Sequence, residues 1–405
     1  METMISLERA WEIISEKIHT PETEEILLQE SYHRVLAKSV ISPIAMPPFD
    51  RSPLDGYAYA ASNSDPASLS LHMVSEIPAG TYPDRELKPG ECAKIFTGAP
   101  IPVGANCVVR MEDTEPQGNL IQIRRPVSPG SNIVHQGEEI QEDEVVLVAE
   151  TLLTPSTVGL LAALGVEKVT VYRRLRIGLL STGSELREVG QALSPGKIYN
   201  SNTYTLRGML IECGCEVEAA SFVPDRLPEM IETLSGLQDM DAIITTGGAS
   251  VGEYDLIREA LSGIGCELLF WKVNFKPGTP AALGIKGKQF YFALSGNPAA
   301  AMITYELLVR PALKRMSGLK DNEAVFPVKM AGRFGKSGRQ RRFLRARAIF
   351  RDGEIWADPD YAQGSGILRS MIGCNLLVDV PGGHGPVEKG EILLARWIPA
   401  EGEIG

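Results

Sequence analysis

A chain of 405 residues, 44% of them hydrophobic and 22% charged, reads as an ordinary globular protein with room for about two to four domains. Its formal net charge of −11 argues against a general nucleic-acid or anionic-membrane binder, because the overall field repels both. Any anionic ligand must then be held by local Lys, Arg or main-chain N–H groups.

The N-terminus, METMISLERAWEIISEKI, mixes acids into a helical pattern and has neither a basic leader region nor a continuous apolar one. Ser6 is placed to cap a helix whose Leu7, Ala10, Trp11, Ile14 and Ile18 share one face. Residues 40–140 change character: prolines and glycines punctuate short runs such as CVVRMED and NLIQIRR, which predicts a small β-rich domain. TPSTVGLLAALGVEKVTVYRR reads as helix, turn at Gly165, then strand. That apolar stretch carries Pro155 and polar residues and is short for a membrane span. From 175 to 317 strands alternate with helices, the pattern of βαβ units around a parallel sheet. After Pro327 short strands return, which predicts a separate C-terminal β domain. Six cysteines at scattered positions form no disulfide framework, Cys213-Gly-Cys215 is too tight for a zinc knuckle, and the five histidines stand singly. The expectation is a cytoplasmic chain with reduced thiols and no membrane or nucleic-acid partner.

Three strand-to-helix junctions share one composition: STGSEL (181–186), TTGGASVGEYD (245–255) and LSGNPAA (294–300). In a parallel sheet all three fall at the carboxyl edge, where open α/β folds bind ligands. Glycines allow sharp turns and close approach to the main chain, and helix N-termini offer unpaired N–H groups. Gly183, Gly247, Gly248, Ser250, Gly252, Gly296 and Asn297 are therefore candidates for a phosphate cradle. A tight turn with an N-cap explains any one such loop, and none fits a P-loop or dinucleotide fingerprint. Glu185, Asp225 and Asp255 each lie just beyond a predicted strand. Carboxylates beside a phosphate cradle repel the ligand unless a cation lies between, and Mg2+ is the natural mediator; the competing explanation is that Glu185 and Asp255 favour helix N-termini. FWKVNFKPGTP sets Lys272 and Lys276 before a Pro-Gly turn. Within RRFLRARAIF, read as a strand, Leu344, Ala346 and Ala348 face one way and Arg345 and Arg347 the other, as a solvated face or an oxyanion site.

PPFDRSPLDGYAYA (47–60), IFTGAP (95–100), GANCVVRMED (104–113), STGSEL, GGASVGEYD, KPGTPAA and SGNPAA occur in the order found in the molybdopterin molybdenumtransferases, the MoeA family that includes the E domain of gephyrin. The chain resembles that family from about residue 40 to 300, more weakly at both ends. The resemblance implies Mg2+-dependent insertion of molybdate into adenylyl-molybdopterin with release of AMP. By motif match, Asp55 and Thr97 resemble the family's active-site acid and threonine, Glu185, Asp225 and Asp255 its metal-organising acids, and Lys272 and Lys276 two of its lysines. Arg345, with Ser365 of AQGSG, resembles its oxyanion site. An elongated homodimer with the site shared between subunits is implied, as is transient contact with the molybdopterin adenylyltransferase.

Implied too are four subdomains: 21–42 with 141–173, a β-rich insert at 43–140, the molybdopterin-binding type α/β domain at 1–20 with 174–320, and a C-terminal β-barrel-like domain at 321–405. The chain departs from the family where Thr279 replaces a lysine, where Ala300 replaces a hydroxyl residue, and where Val134 and His135 replace arginines. Those departures leave open a paralogue using tungstate or another adenylylated pterin, or a non-catalytic pterin-binding scaffold dimer.

Overall fold

The alternating segments build one seven-stranded sheet in the computed structural model, which describes residues 1–63, 68–219, 222–247, 256–320, 324–359 and 362–399. Its strands are β1 (Glu2–Ile5), β2 (Arg176–Ser181), β3 (Glu216–Ala219), β4 (Ala242–Thr246), β5 (Glu267–Val273), β6 (Ala282–Lys286) and β7 (Gln289–Leu294), in the spatial order β1-β5-β6-β7-β4-β2-β3. All run parallel except β6, which pairs antiparallel with both neighbours. The expected parallel sheet is present, with β6 as its one reversed strand. Ser181 stands opposite Thr246, and Thr246 opposite Leu294. Thr182, Gly247 and Ser295, which follow these residues, therefore leave the sheet on one edge.

Helices cover both faces: α1 (Leu7–Lys17), α2 (Ser201–Glu212), α3 (Leu227–Gly236), α4 (Leu256–Gly263), α5 (Pro298–Thr304) and α6 (Arg310–Met316). Successive strand residues point to opposite faces. Ile244 thus joins the core under α1, α2, α5 and α6, while Ile243 joins the core under α3 and α4. Ser6 caps α1 through its hydroxyl, which accepts from Arg9 N–H at 3.1 Å. A π turn, Tyr305–Val309, links α5 to α6. Pro311 has no N–H to give the carbonyl four residues back. That carbonyl, of Leu307, instead accepts the Trp11 indole N–H at 3.2 Å.

The C-terminal residues form a closed five-stranded barrel. Arg341–Arg351 pairs with Glu354–Asp358 and Leu376–Val380, and Val325–Met330 with Ile392–Trp397 completes the circuit. Val328, Leu344, Ala346, Val378 and Ala395 fill it. A two-residue strand, Phe275–Lys276, pairs parallel with Arg341–Arg342 and so fastens the α/β portion to the barrel.

Sheet and barrel belong to one compact unit, Met1–Glu24 with His33–Ala37 and Thr170–Gly405; the other unit is Glu25–Tyr32 with Lys38–Val169. The second unit holds a six-stranded sheet in the order Cys107–Arg110, Gly56–Tyr59, Glu91–Ile95, Leu69–Ile77, Leu120–Ile123, Thr114–Gln117. Every residue of Gly56–Tyr59 is buried, with Tyr57 and Tyr59 in one cluster and Ala58 in another. A Cβ on Gly56 would meet the Val109 carbonyl oxygen at 2.0 Å, so only glycine fits there.

Candidate functional site

The shared edge of β2, β4 and β7 opens into a cavity of about 900 Å3. Thr182, Gly183 and Glu185 line it from the loop after β2, Asp225 from the segment before α3, Gly247 from the end of β4, and Gly296 and Asn297 from the loop after β7. Gly247 has φ +92°, and a Cβ there would lie 2.0 Å from the Thr182 carbonyl oxygen. Close approach of two loops makes this glycine necessary. Below, the Ser181 hydroxyl bridges those of Thr203 (2.7 Å) and Thr246 (3.1 Å). Asn202 Nδ2 donates to the Gly296 carbonyl at 2.9 Å and ties α2 to the third loop. Asp225 accepts the Ser184 N–H at 2.9 Å, which positions it beside the loop carrying Glu185.

Glu185 departs from its expected setting. The loop after β2 leads not into a helix but into a short strand, Leu186–Arg187, paired with Ile198–Tyr199; α2 begins only at Ser201. No helix dipole explains an acid at 185, so its place in the cavity wall does not follow from capping. Gly248, Ser250, Gly252 and Asp255 lie outside the described residues.

A second cavity of about 350 Å3 is lined by Lys276, Thr279, Ala300, Lys336, Arg342 and Ser365, among others. Pro280, Ser295 and Asn297 line both cavities, so the two adjoin. Its cations sit close to one another by construction, because Lys276 is the strand partner of Arg342. The Arg342 Nε is buried without a partner among the described residues. A buried unpaired donor is costly, and an anion in the cavity would satisfy it. Thr279, where a family lysine is expected, turns its hydroxyl to the Phe275 carbonyl at 2.6 Å.

Arg345 and Lys272 line neither cavity. Arg345 lies on the barrel face expected to carry solvated arginines, yet it is fully buried while Arg347 is exposed. The loop 362–366 covers it: Arg345 Nη2 donates to the Ala362 and Gly364 carbonyls at 3.1 Å each, and Gln363 pairs with its main chain at 3.0 and 2.9 Å. Nε and Nη1 have no partner among the described residues, and burial draws its guanidinium below the usual value. Arg345 therefore holds the loop on which Ser365 stands. Lys272, at φ +71°, donates its N–H to the Ala281 carbonyl at 2.9 Å.

In the second unit Asp55 and Thr97 do meet. One Asp55 oxygen accepts the Thr97 N–H at 2.8 Å and its hydroxyl at 2.9 Å. These bonds, the main-chain one foremost, hold the exposed carboxyl below its ordinary value. Sequence reading missed Asn200, Asn202, Lys336 and Arg342; the RR doublet at 341–342 was the available signal for the last.

A mostly parallel sheet with a large cavity at its carboxyl edge, adjoining a smaller cavity with three cationic side chains beside a small barrel, defines an α/β protein with a ligand-sized site where open α/β sheets carry one. Comparison with known proteins narrows this. Residues 5–165 match the MoeA N-terminal region (domain I and II), 178–315 a probable molybdopterin binding domain, and 327–395 the MoeA C-terminal region (domain IV). The molybdopterin molybdenumtransferase of Haemophilus influenzae is 34% identical over 96% of this chain and 98% of its own, and that of Bacillus subtilis 33% over 93% and 90%. A solved molybdopterin biosynthesis MoeA protein from Pyrococcus horikoshii superposes with a TM-score of 0.82 at 29% identity, covering 98% of this chain and 100% of its own. The chain belongs to the molybdopterin molybdenumtransferase family, MoeA.

Proposed function

We propose that this enzyme of molybdenum cofactor biosynthesis inserts molybdate into adenylyl-molybdopterin and releases AMP in a Mg2+-dependent step. The observation that carries the reading is the pair of adjoining cavities: a large one with two carboxylates and a small one with three cationic side chains, sharing Pro280, Ser295 and Asn297. A pterin nucleotide suits the first. Molybdate, a tetrahedral dianion written here as substrate, suits the second, where Lys276, Lys336, Arg342 and Ser365 would donate to it.

Among the described residues no three His, Cys, Asp or Glu side chains group as a complete metal site. Glu185 and Asp225 on one cavity wall nevertheless fit Mg2+, which is typically held by one or two carboxylates together with substrate phosphates and water. When bound, the ion would offset phosphate charge beside those carboxylates. Glu185 and Asp225 orient the phosphates, Asn297, Gly183, Gly247 and Gly296 bring main-chain groups near them, and Arg345 holds the Ser365 loop.

The reading assigns Asp55 and Thr97 to the same reaction and casts the enzyme as a cytoplasmic homodimer. Tyr204 and Ile211, two turns apart on α2, are large side chains left exposed, which supports a protein partner on that face. Among the described residues no helix is long and apolar enough to cross a membrane.

The test is reconstitution with adenylyl-molybdopterin, Mg2+ and molybdate. AMP release that needs both ions, lost in Asp225→Asn, supports the reading, and release indifferent to molybdate overturns it. Replacing molybdate by tungstate tells whether Thr279 and Ala300 alter the choice of oxyanion.

A further inference from the structure

A chain of hydrogen bonds runs under the large cavity from α2 to β4. Asn200, the N-cap of α2, accepts the Thr203 N–H through Oδ1 at 3.3 Å and donates through Nδ2 to Thr203 Oγ1 at 2.9 Å. Thr203 Oγ1 lies 2.7 Å from Ser181 Oγ, which lies 3.1 Å from Thr246 Oγ1. Asn200, Ser181 and Thr246 are buried. Asn200 and Thr246, the two ends, line the cavity, whereas Thr203 and Ser181 do not.

Donor and acceptor chemistry gives this chain a direction. The N-cap bond turns the Asn200 oxygen to the Thr203 N–H, so the amide nitrogen, which only donates, faces the Thr203 hydroxyl. Each hydroxyl has one proton to give. When Thr203 donates to Ser181 and Ser181 to Thr246, every link is met and the proton left over belongs to Thr246. The reverse order strands the Thr203 proton, which has no other acceptor among the described residues. A donor left unmet is costly, so the chain runs from Asn200 to Thr246 and ends with a free proton at the cavity wall. Thr182 stands beside it. Its N–H donates to the Thr246 carbonyl at 2.8 Å, it lines the same cavity, and its buried Oγ1 has no partner among the described residues. Two unspent hydroxyl donors on one wall match a group that only accepts.

We propose that Thr246 is a specificity-determining residue whose hydroxyl donates to a phosphate oxygen of the ligand in the large cavity, and that Asn200, Thr203 and Ser181 are positioning residues that hold its proton in that direction. The proposal rests on the pterin nucleotide as ligand and adds what this wall selects. An ionised phosphate oxygen accepts the proton in a charge-assisted bond. An N–H or a protonated oxygen at the same point faces a donor and is disfavoured.

The experiment measures the Kd of adenylyl-molybdopterin by titration calorimetry, with Mg2+ and without molybdate. Thr246→Val removes the donor and should raise Kd by about 10–150-fold, the worth of one hydrogen bond to a charged oxygen, while Thr246→Ser should bind as wild type does. Asn200→Asp keeps the helix cap but turns the first donor into an acceptor. Thr203 then donates to the carboxylate, Ser181 to Thr203 and Thr246 to Ser181, which withdraws the cavity proton. The new charge also repels phosphate, so the same change is made in the Thr246→Val protein, where repulsion alone remains. Asn200→Asp should raise Kd by about ten-fold more in the wild-type background than in that one. Ser181→Ala, which keeps Thr246 but cuts the chain, should weaken binding as well, and serves if Thr246→Val does not fold. Equal cost of Asn200→Asp in the two backgrounds, or unchanged binding in Thr246→Val or Ser181→Ala, overturns the proposal and leaves the functional reading standing. A wild type that binds no adenylyl-molybdopterin overturns both.

Discussion

A single carboxylate oxygen of Asp55 receives both the main-chain N–H and the side-chain hydroxyl of Thr97, a residue 42 positions further along the chain. Because this lowers the carboxyl's pKa in the folded state, the bond contributes stability above the unfolded-chain pKa. That contribution is lost as pH falls through the folded value. Thr97→Val keeps the N–H and removes the hydroxyl. A carbon-detected NMR titration should then show Asp55 titrating at higher pH than in the wild type, and any stability difference between the two proteins should disappear in acid. An unmoved titration contradicts the assignment.

Gly247 and Gly190 both have φ +92°, yet a Cβ at 190 meets nothing within 4 Å whereas one at 247 would lie 2.0 Å from the Thr182 carbonyl oxygen. Gly190→Ala therefore carries only backbone strain, about 1–3 kcal/mol. Gly247→Ala adds a main-chain collision and should cost more, with the large cavity deformed. Denaturant unfolding of the two variants compares them directly, and equal losses would show that the loops can part without penalty.

Arg342 and Arg345 are three residues apart on one barrel strand and should fail differently. Arg342→Met removes a charged donor from the small cavity and is expected to raise the KM for molybdate by ~10–150-fold, the equivalent of about 1.5–3 kcal/mol. Arg345→Met frees the Ala362 and Gly364 carbonyls, so amide hydrogen exchange across 362–366 should rise in that variant and stay unchanged in Arg342→Met. The opposite pattern would reverse the two roles.

Glu306 and Arg310 form a buried pair, 5% and 6% exposed, one helical turn apart. Glu306→Ala leaves the guanidinium buried without its carboxylate and is expected to cost about 3–5 kcal/mol. Glu306→Gln, which keeps an acceptor, should cost less. Guanidinium unfolding measures both, and a loss below 1 kcal/mol in the alanine variant would mean that Glu212 takes over the pairing.

Much of this was legible in the sequence because short-range signals agreed. The Ser6 cap, the β2, β4 and β7 runs, and the turn from β7 into α5 follow from periodicity and turn chemistry. Asp55 and Thr97 were paired only through motif resemblance, since nothing local announces a bond across 42 residues. What stayed hidden depends on tertiary cover. Alternation placed Arg345 outward with Arg347, and no local signal says that loop 362–366 folds over one and not the other. The short strand Leu186–Arg187 was equally unreadable, because its partner Ile198–Tyr199 is a dozen residues away.

The two-residue strand Phe275–Lys276 has a consequence for how the molecule can be cut. Its pairing with Arg341–Arg342 makes the small cavity a property of a seam, with Lys276 coming from the segment before the barrel and Lys336 and Arg342 from the barrel. A truncated chain ending before the barrel would keep Gly247, Gly296, Glu185 and Asp225 yet only Lys276 of the small cavity's three cations. Under the proposed function, shortening the polypeptide should therefore remove binding of the oxyanion before it removes binding of the nucleotide.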